Sequence, residues 1–114
     1  MWIPSLLKSL NESDLQAMGL QIPVESLFST DSSGLNHAIV QFGGGCTGEI
    51  VSDRGLLFTN HHCGFNSIQA LSSLEHNYLD QGFWAQADSL ELPCPGLTVT
   101  FIRDIQEVSQ LVLD

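Results

Sequence analysis

The sequence predicts a mainly β fold with short helices. Three observations carry this. Strand-like runs occupy residues 38–42, 46–52, 56–59 and 97–105. A triple glycine and a tight turn punctuate the first three of them. Helical patterning is confined to short pieces, in a lead-in over 1–37 and again over 66–87. The 114 residues suit one domain, and a hydrophobic fraction of 43% supplies a core. About four strands do not close a barrel, and the chain stops on apolar residues. It therefore reads as the opening of a larger protein, with an open sheet covered by helices on one face as the alternative.

Each element has a local reason. In the lead-in, Ser13 and Gln16 fit a capping box, with Ser13 as N-cap and Gly19 stopping a short helix near Met18. Pro23 suits the first turn of a second short helix. The stretch STDSSG, residues 29–34, is a loop by composition. AIVQF (38–42) is the first strand, Gly43–Gly45 breaks it, and CTGEIVS (46–52) is the second. DRG (53–55) is a tight turn in which Gly55 can take a positive φ, and LLFT (56–59) completes a hairpin. The His-bearing turn follows, up to residue 65. Over 66–87, Ser72 and Glu75 offer another capping box, while Tyr78, Phe83 and Trp84 supply bulk. LPCPG (92–96) is a rigid extended break, and LTVTFIRDI (97–105) alternates as the cleanest strand.

Charge narrows the partners. Three Lys plus Arg face thirteen Asp plus Glu, a formal net charge of −10. Nucleic acid and anionic membrane both need a basic face, so neither is expected. No apolar run of about 18 residues exists to span a membrane. The first residues, MWIPSLLKSL, lack the charged start and length of a signal peptide.

The chemistry-bearing residues gather in LLFTNHHCGF, residues 56–65. Cys46, His61, His62 and Cys63 hold ligand atoms for a metal, but structural zinc sites take their ligands in pairs two to four residues apart, and adjacent His62 and Cys63 project differently. The glycine-rich GGGCTGE lacks the Lys-Ser/Thr ending of a phosphate-binding loop. Cys63 as a nucleophile has only its sequence neighbour His62 as base, whereas such a base is normally brought in through space. Cys46 and Cys63 bracket the expected hairpin, which can return its ends to disulfide reach, a bridge worth about 3 kcal/mol that implies an oxidising compartment. Cys94 is then left as a buried or partly buried thiol.

Read whole, a cysteine-opened strand, a turn, a second strand and then Thr59-x-x-His62-Cys63 resembles the histidine region of chymotrypsin-like serine peptidases. FGGGCTGEIVSDRGLLFTNHHCGF, SIQALSSLEHNYLDQGFWA and ELPCPGLTVTFI together resemble the start of the bacterial dipeptidyl-peptidase 7/11 family, serine exopeptidases of the cell envelope. The resemblance covers nearly all of the chain, 1–114, as the N-terminal part of the peptidase domain. It implies a portion of a chymotrypsin-like double β-barrel, not closed within this chain, in a longer protein with an added helical domain. It implies removal of dipeptides from the free N-terminus of oligopeptides, with no cofactor, in a homodimer that is periplasmic or secreted.

By the same resemblance His62 is the triad general base, Cys63 its disulfide anchor to Cys46, and His61 a structural neighbour. The family's aspartate and serine lie elsewhere: Asp104 and Asp114 do not match the aspartate, and nothing here resembles a Gly-Asp-Ser-Gly nucleophile motif. The 114 residues alone are therefore expected to be inert. A non-catalytic interaction module and a Cys/His metal-binding domain are the competing readings.

Overall fold

Gly19 ends the first α-helix of the described residues with a positive φ of 104°. In this computed structural model, which describes residues 3–31, 33–106 and 108–113, that helix is α1, Glu12–Ala17. It continues a helical run that starts at Pro4 and passes through a π-helical stretch, Leu7–Asn11. Beyond it the Leu20 amide donates to the Leu15 carbonyl at 2.9 Å and the Gly19 amide to Gln16 at 3.0 Å. These two bonds close the helix's last carbonyls, as a left-handed terminal glycine permits. The Ser13 capping box does not form. The chain is already helical before Ser13, so its first-turn amides do not need a side-chain acceptor, and the residue at the cap position is Asn11. Pro23 likewise stands just ahead of its short 3-10 turn, Val24–Ser26.

Contacts divide the chain into two units, residues 1–40 with 101–114, and residues 41–100. In the first, the expected loop at 29–34 is tied to the turn after it, Ser32 lying outside the described residues. The Ser29 hydroxyl accepts from the Gly34 amide at 2.7 Å, Asn36 bonds both the amide and the carbonyl of Ser29, and His37 Nε2 donates to the Ser29 carbonyl at 2.9 Å. Val24 and Val40 are the buried hydrophobic side chains among the described residues, and both belong to this unit.

Four strands form the sheet: β1 Ile39–Phe42, β2 Cys46–Ile50, β3 Leu57–Thr59 and β4 Val99–Phe101, in the order β3-β2-β1-β4. The sheet is open, with β3 and β4 at its edges. The hairpin is present: β2 and β3 are antiparallel, with Gly48 opposite Thr59, Glu49 opposite Phe58 and Ile50 opposite Leu57. Its turn closes through Ser52, whose hydroxyl accepts from the Leu56 amide at 2.9 Å, and Gly55 takes a φ of 83° there. Arg54 at the tip is ion-paired to Asp88. The fourth strand is shorter than the alternation over 97–105 predicts. β4 keeps three residues, all exposed, because alternation makes a strand only where a neighbour takes up the backbone groups.

Helix α2 spans His61–Leu71 and α3 spans Tyr78–Gln81. The helical stretch expected over 66–87 thus starts five residues earlier and is broken at 72–77 and after Gln81. Ser72 does not open a helix with Glu75. Its hydroxyl donates to the Ile68 carbonyl at 2.8 Å, finishing α2, and accepts from the Tyr78 amide at 3.1 Å, starting α3. The Tyr78 ring meets Phe83 edge-on with centroids 5.2 Å apart. Ile68, Leu71, Phe83 and Cys94 line a cavity of about 350 Å³. Cys94 is a half-buried thiol outside any disulfide, in the extended segment that its flanking prolines predict. A last helix, α4, spans Ser109–Leu113. Among the described residues no helix is long and apolar enough to cross a membrane.

Candidate functional site

Strand β3 delivers the site. Its last residue, Thr59, turns its hydroxyl across the hairpin to the Thr47 carbonyl at 2.7 Å, which ties the end of β3 to the start of β2. The next residue, Asn60, is extended, with φ −76° and ψ 146°, and caps α2 with its backbone: the Cys63 amide donates to its carbonyl at 2.9 Å. His61, His62 and Cys63 are therefore the first turn of α2 rather than a turn beyond the hairpin. Asn is a favoured N-cap residue, and this was the available signal. It was masked by Gly64, which lowers helix propensity where the helix needs to begin.

The strand-to-helix corner brings together what the chain separates. Cys46, at the start of β2, is disulfide-bonded to Cys63, with Cα atoms 6.0 Å apart. Both cysteines are half-buried, while the two histidines are exposed. The His62 ring lies back over the bridge, its Nε2 3.4 Å from Cys63 Sγ and 3.9 Å from Cys46 Sγ. Bonded sulfurs are weak acceptors, so these contacts place the ring without immobilising it.

His61 behaves differently. Its ring meets Phe65, one turn along α2, edge-on at 6.1 Å and 78°, as residues four apart on a helix do. Two adjacent histidines thus have separate environments. One packs on its own helix, and the other sits at the junction of strand, helix and disulfide.

Cys46, His62 and Cys63 place their ligand atoms within 4.8 Å of one another. The sequence argument that adjacent His62 and Cys63 project apart does not hold here, because the His62 ring bends back. The donor set nonetheless fails for a metal while the bridge is closed, since neither sulfur is then a thiolate. Cys63 in the bridge is no nucleophile for the same reason. Asp104 lies beyond β4, where the Gln106 side-chain amide donates to its carboxylate. Asp114 lies outside the described residues.

Comparison with known proteins places this corner in context. Residues 1–114 match the family Peptidase S46. An Asp/Glu-specific dipeptidyl-peptidase of Flavobacterium psychrophilum is 48% identical over 114 residues, all of this chain and 16% of that protein. Dipeptidyl-peptidase 7 of Porphyromonas gingivalis is 45% identical over 112 residues, 98% of this chain and 16% of that one. Among solved structures, Porphyromonas endodontalis DPP11 in complex with substrate superposes with a TM-score of 0.90 at 40% identity, covering 99% of this chain and 16% of that chain. The chain thus spans about a sixth of the length of the relatives it matches.

Proposed function

The chain belongs to the peptidase S46 family, and on that premise we propose that it is the His-bearing portion of a serine-type dipeptidyl peptidase in which His62 is the general base. The observation that carries the reading is the environment of His62. It is an exposed imidazole on the first turn of a helix, next to a cysteine that ties that turn to the hairpin.

In the working enzyme His62 takes the proton of a serine hydroxyl as the oxygen attacks the peptide carbonyl, then gives it to the departing amine. The ring reaches the serine by turning about its side-chain bonds, away from the bridge. A buried aspartate holds its tautomer, and backbone N–H groups beside the serine stabilise the oxyanion. Serine, aspartate and oxyanion hole come from parts of the peptidase outside these 114 residues, so the piece alone turns nothing over. The β2–β3 hairpin belongs to the first barrel of a chymotrypsin-like double barrel. The full protein is a homodimer working in the periplasm or outside the cell, on oligopeptides with a free N-terminus. Relatives named for Asp/Glu specificity and relatives named dipeptidyl-peptidase 7 match at similar identity, 48% and 45%. Preference at the cleaved bond is accordingly assigned to residues outside this segment.

The test is covalent labelling with a serine-directed phosphonate ester, which reacts through the base-activated hydroxyl. The full-length protein should label, its His62→Ala variant should label at a small fraction of that rate, and the 114-residue piece should not label. Full-rate labelling of the His62→Ala protein, or dipeptide release by the piece itself, would overturn the proposal.

A further inference from the structure

We propose that reduction of the Cys46–Cys63 bridge opens a metal site, with the two thiolates and His62 Nε2 as ligands and zinc-class divalent cations as the ligand class. Zinc binds sulfur at about 2.3 Å and imidazole nitrogen at about 2.0 Å, so a tetrahedral ion sets its nitrogen and sulfur ligands roughly 3.5 Å apart. The His62 Nε2 already stands 3.4 and 3.9 Å from the two sulfurs. With Cα atoms 6.0 Å apart, two cysteines can converge on one ion once their sulfurs are no longer bonded to each other.

The scaffold holds this arrangement without the bridge. Gly48, two residues beyond Cys46, faces Thr59 in the ladder, and the Thr59 hydroxyl holds the Thr47 carbonyl at 2.7 Å. The Cys63 amide is fixed to the Asn60 carbonyl at 2.9 Å. Both ligand-bearing segments therefore keep hydrogen bonds, one from the Thr59 side chain and one within the backbone, that reduction does not touch. Three protein ligands leave a fourth position for water, the pattern of an exchangeable rather than a closed structural site.

The chemistry balances with a dithiol as reductant. One of its thiolates attacks a bridge sulfur to give a mixed disulfide, and its second thiol displaces the protein cysteine. The products are two protein thiols and one cyclic disulfide, with two electrons passed to the protein. The cation then displaces the two thiol protons and takes the Nε2 lone pair. This second part rests on the functional reading above only in its consequence: the captured imidazole is the proposed base, so the loaded enzyme stops turning over.

The experiment uses the full-length protein, as purified and after treatment with a dithiol that is then removed without air. Zinc ion alone is titrated in competition with a chromophoric chelator, and cobalt(II) is used in parallel to report thiolate ligation by its charge-transfer absorption. Reduction should add one zinc site per chain with thiolate-to-cobalt absorption. That gain should vanish in Cys46→Ser and in Cys63→Ser and persist in Cys94→Ser. His62→Ala, which keeps the bridge until it is reduced, should bind roughly tenfold or more weakly. No gain on reduction, a gain that survives Cys46→Ser, or His62→Ala binding as tightly as the parent would each overturn the site. Zinc bound as described with turnover unaffected would leave the site standing and refute His62 as the base.

Discussion

The strand-to-helix corner around residues 46–63 and the segment from 97 onward both read as strand-forming in sequence but have different fates. In the corner four separate constraints act within one short stretch: the β2–β3 register, the Thr59 hydroxyl on Thr47, the Asn60 carbonyl on the Cys63 amide, and the disulfide. From 97 onward, a nine-residue alternation yields three strand residues on a sheet edge, and Val99, Phe101, Ile102 and Ile105 are all exposed. The corner's constraints lie within a span of 18 residues, so the sequence can specify them locally. The edge strand depends on neighbours that a local pattern cannot supply. On the proposed function, a site built on the first kind of region is placed by its own segment of chain.

That contrast can be broken by removing the corner's constraints one at a time. Amide hydrogen exchange across β2 and β3 in the full-length protein is the measure, because it reads local opening. Replacing both Cys46 and Cys63 with Ala should cost the most, about 3 kcal/mol, from the freedom returned to the opened chain. An unchanged protection of the hairpin would mean that the ladder alone fixes the corner.

Gly48→Val comes next. A Cβ there would stand 2.9 Å from Leu57 Cδ2, so the larger side chain should overpack the hairpin by about 1–3 kcal/mol. Wild-type exchange in this variant would contradict the close approach. Thr59→Val replaces the hydroxyl with a methyl and leaves the Thr47 carbonyl without that donor. It should cost about 1 kcal/mol, with faster exchange concentrated at the β2–β3 pairing. Loss spread evenly over α2 and α3 instead would show that Thr59 acts elsewhere.

The smallest effect lies outside the corner, in the 29–37 loop. The Ser33 hydroxyl, then the Ser29 hydroxyl and the Ser33 amide, hold the Asp31 carboxyl below its ordinary range. A lowered folded value means that the carboxylate's contribution is present above the ordinary carboxylate range and is lost as pH falls through the folded value. Exchange at the Ser33 amide should therefore depart from its intrinsic pH dependence only in acid, and Asp31→Asn should remove that departure. The same departure in the Asn variant would assign it to another group.

Legibility in the sequence followed the same divide. The hairpin, its Gly55 turn, the break at Gly43–Gly45 and the helix end at Gly19 are each set by residues within a few positions, and each forms as read. Two capping boxes were misread because the pattern Ser-x-x-Gln/Glu is a start signal only where no helix already satisfies those amides. Ser13 sits inside a helical run, and the Ser72 hydroxyl serves the end of α2 and the start of α3 at once. At the site, Thr59, His62 and Cys63 were legible as a motif, and the resemblance it supports agrees with the Peptidase S46 match. The helical start at His61 was not legible, since Gly64 argues against it. Nor was the folding back of the His62 ring over the sulfurs, because side-chain direction at a helix's first turn depends on what the preceding strand brings beside it.

On the proposed function the two adjacent histidines divide between packing and chemistry. Steady-state kinetics of His62→Ala and His61→Ala in the full-length protein, on a dipeptidyl chromogenic substrate with the Cys46–Cys63 bridge verified intact by mass spectrometry, test it most directly. On the proposed reading kcat falls roughly 10⁶-fold in His62→Ala with KM little changed, and changes within a few-fold in His61→Ala. A His62→Ala enzyme that keeps its kcat, or a collapse confined to His61→Ala, would contradict it.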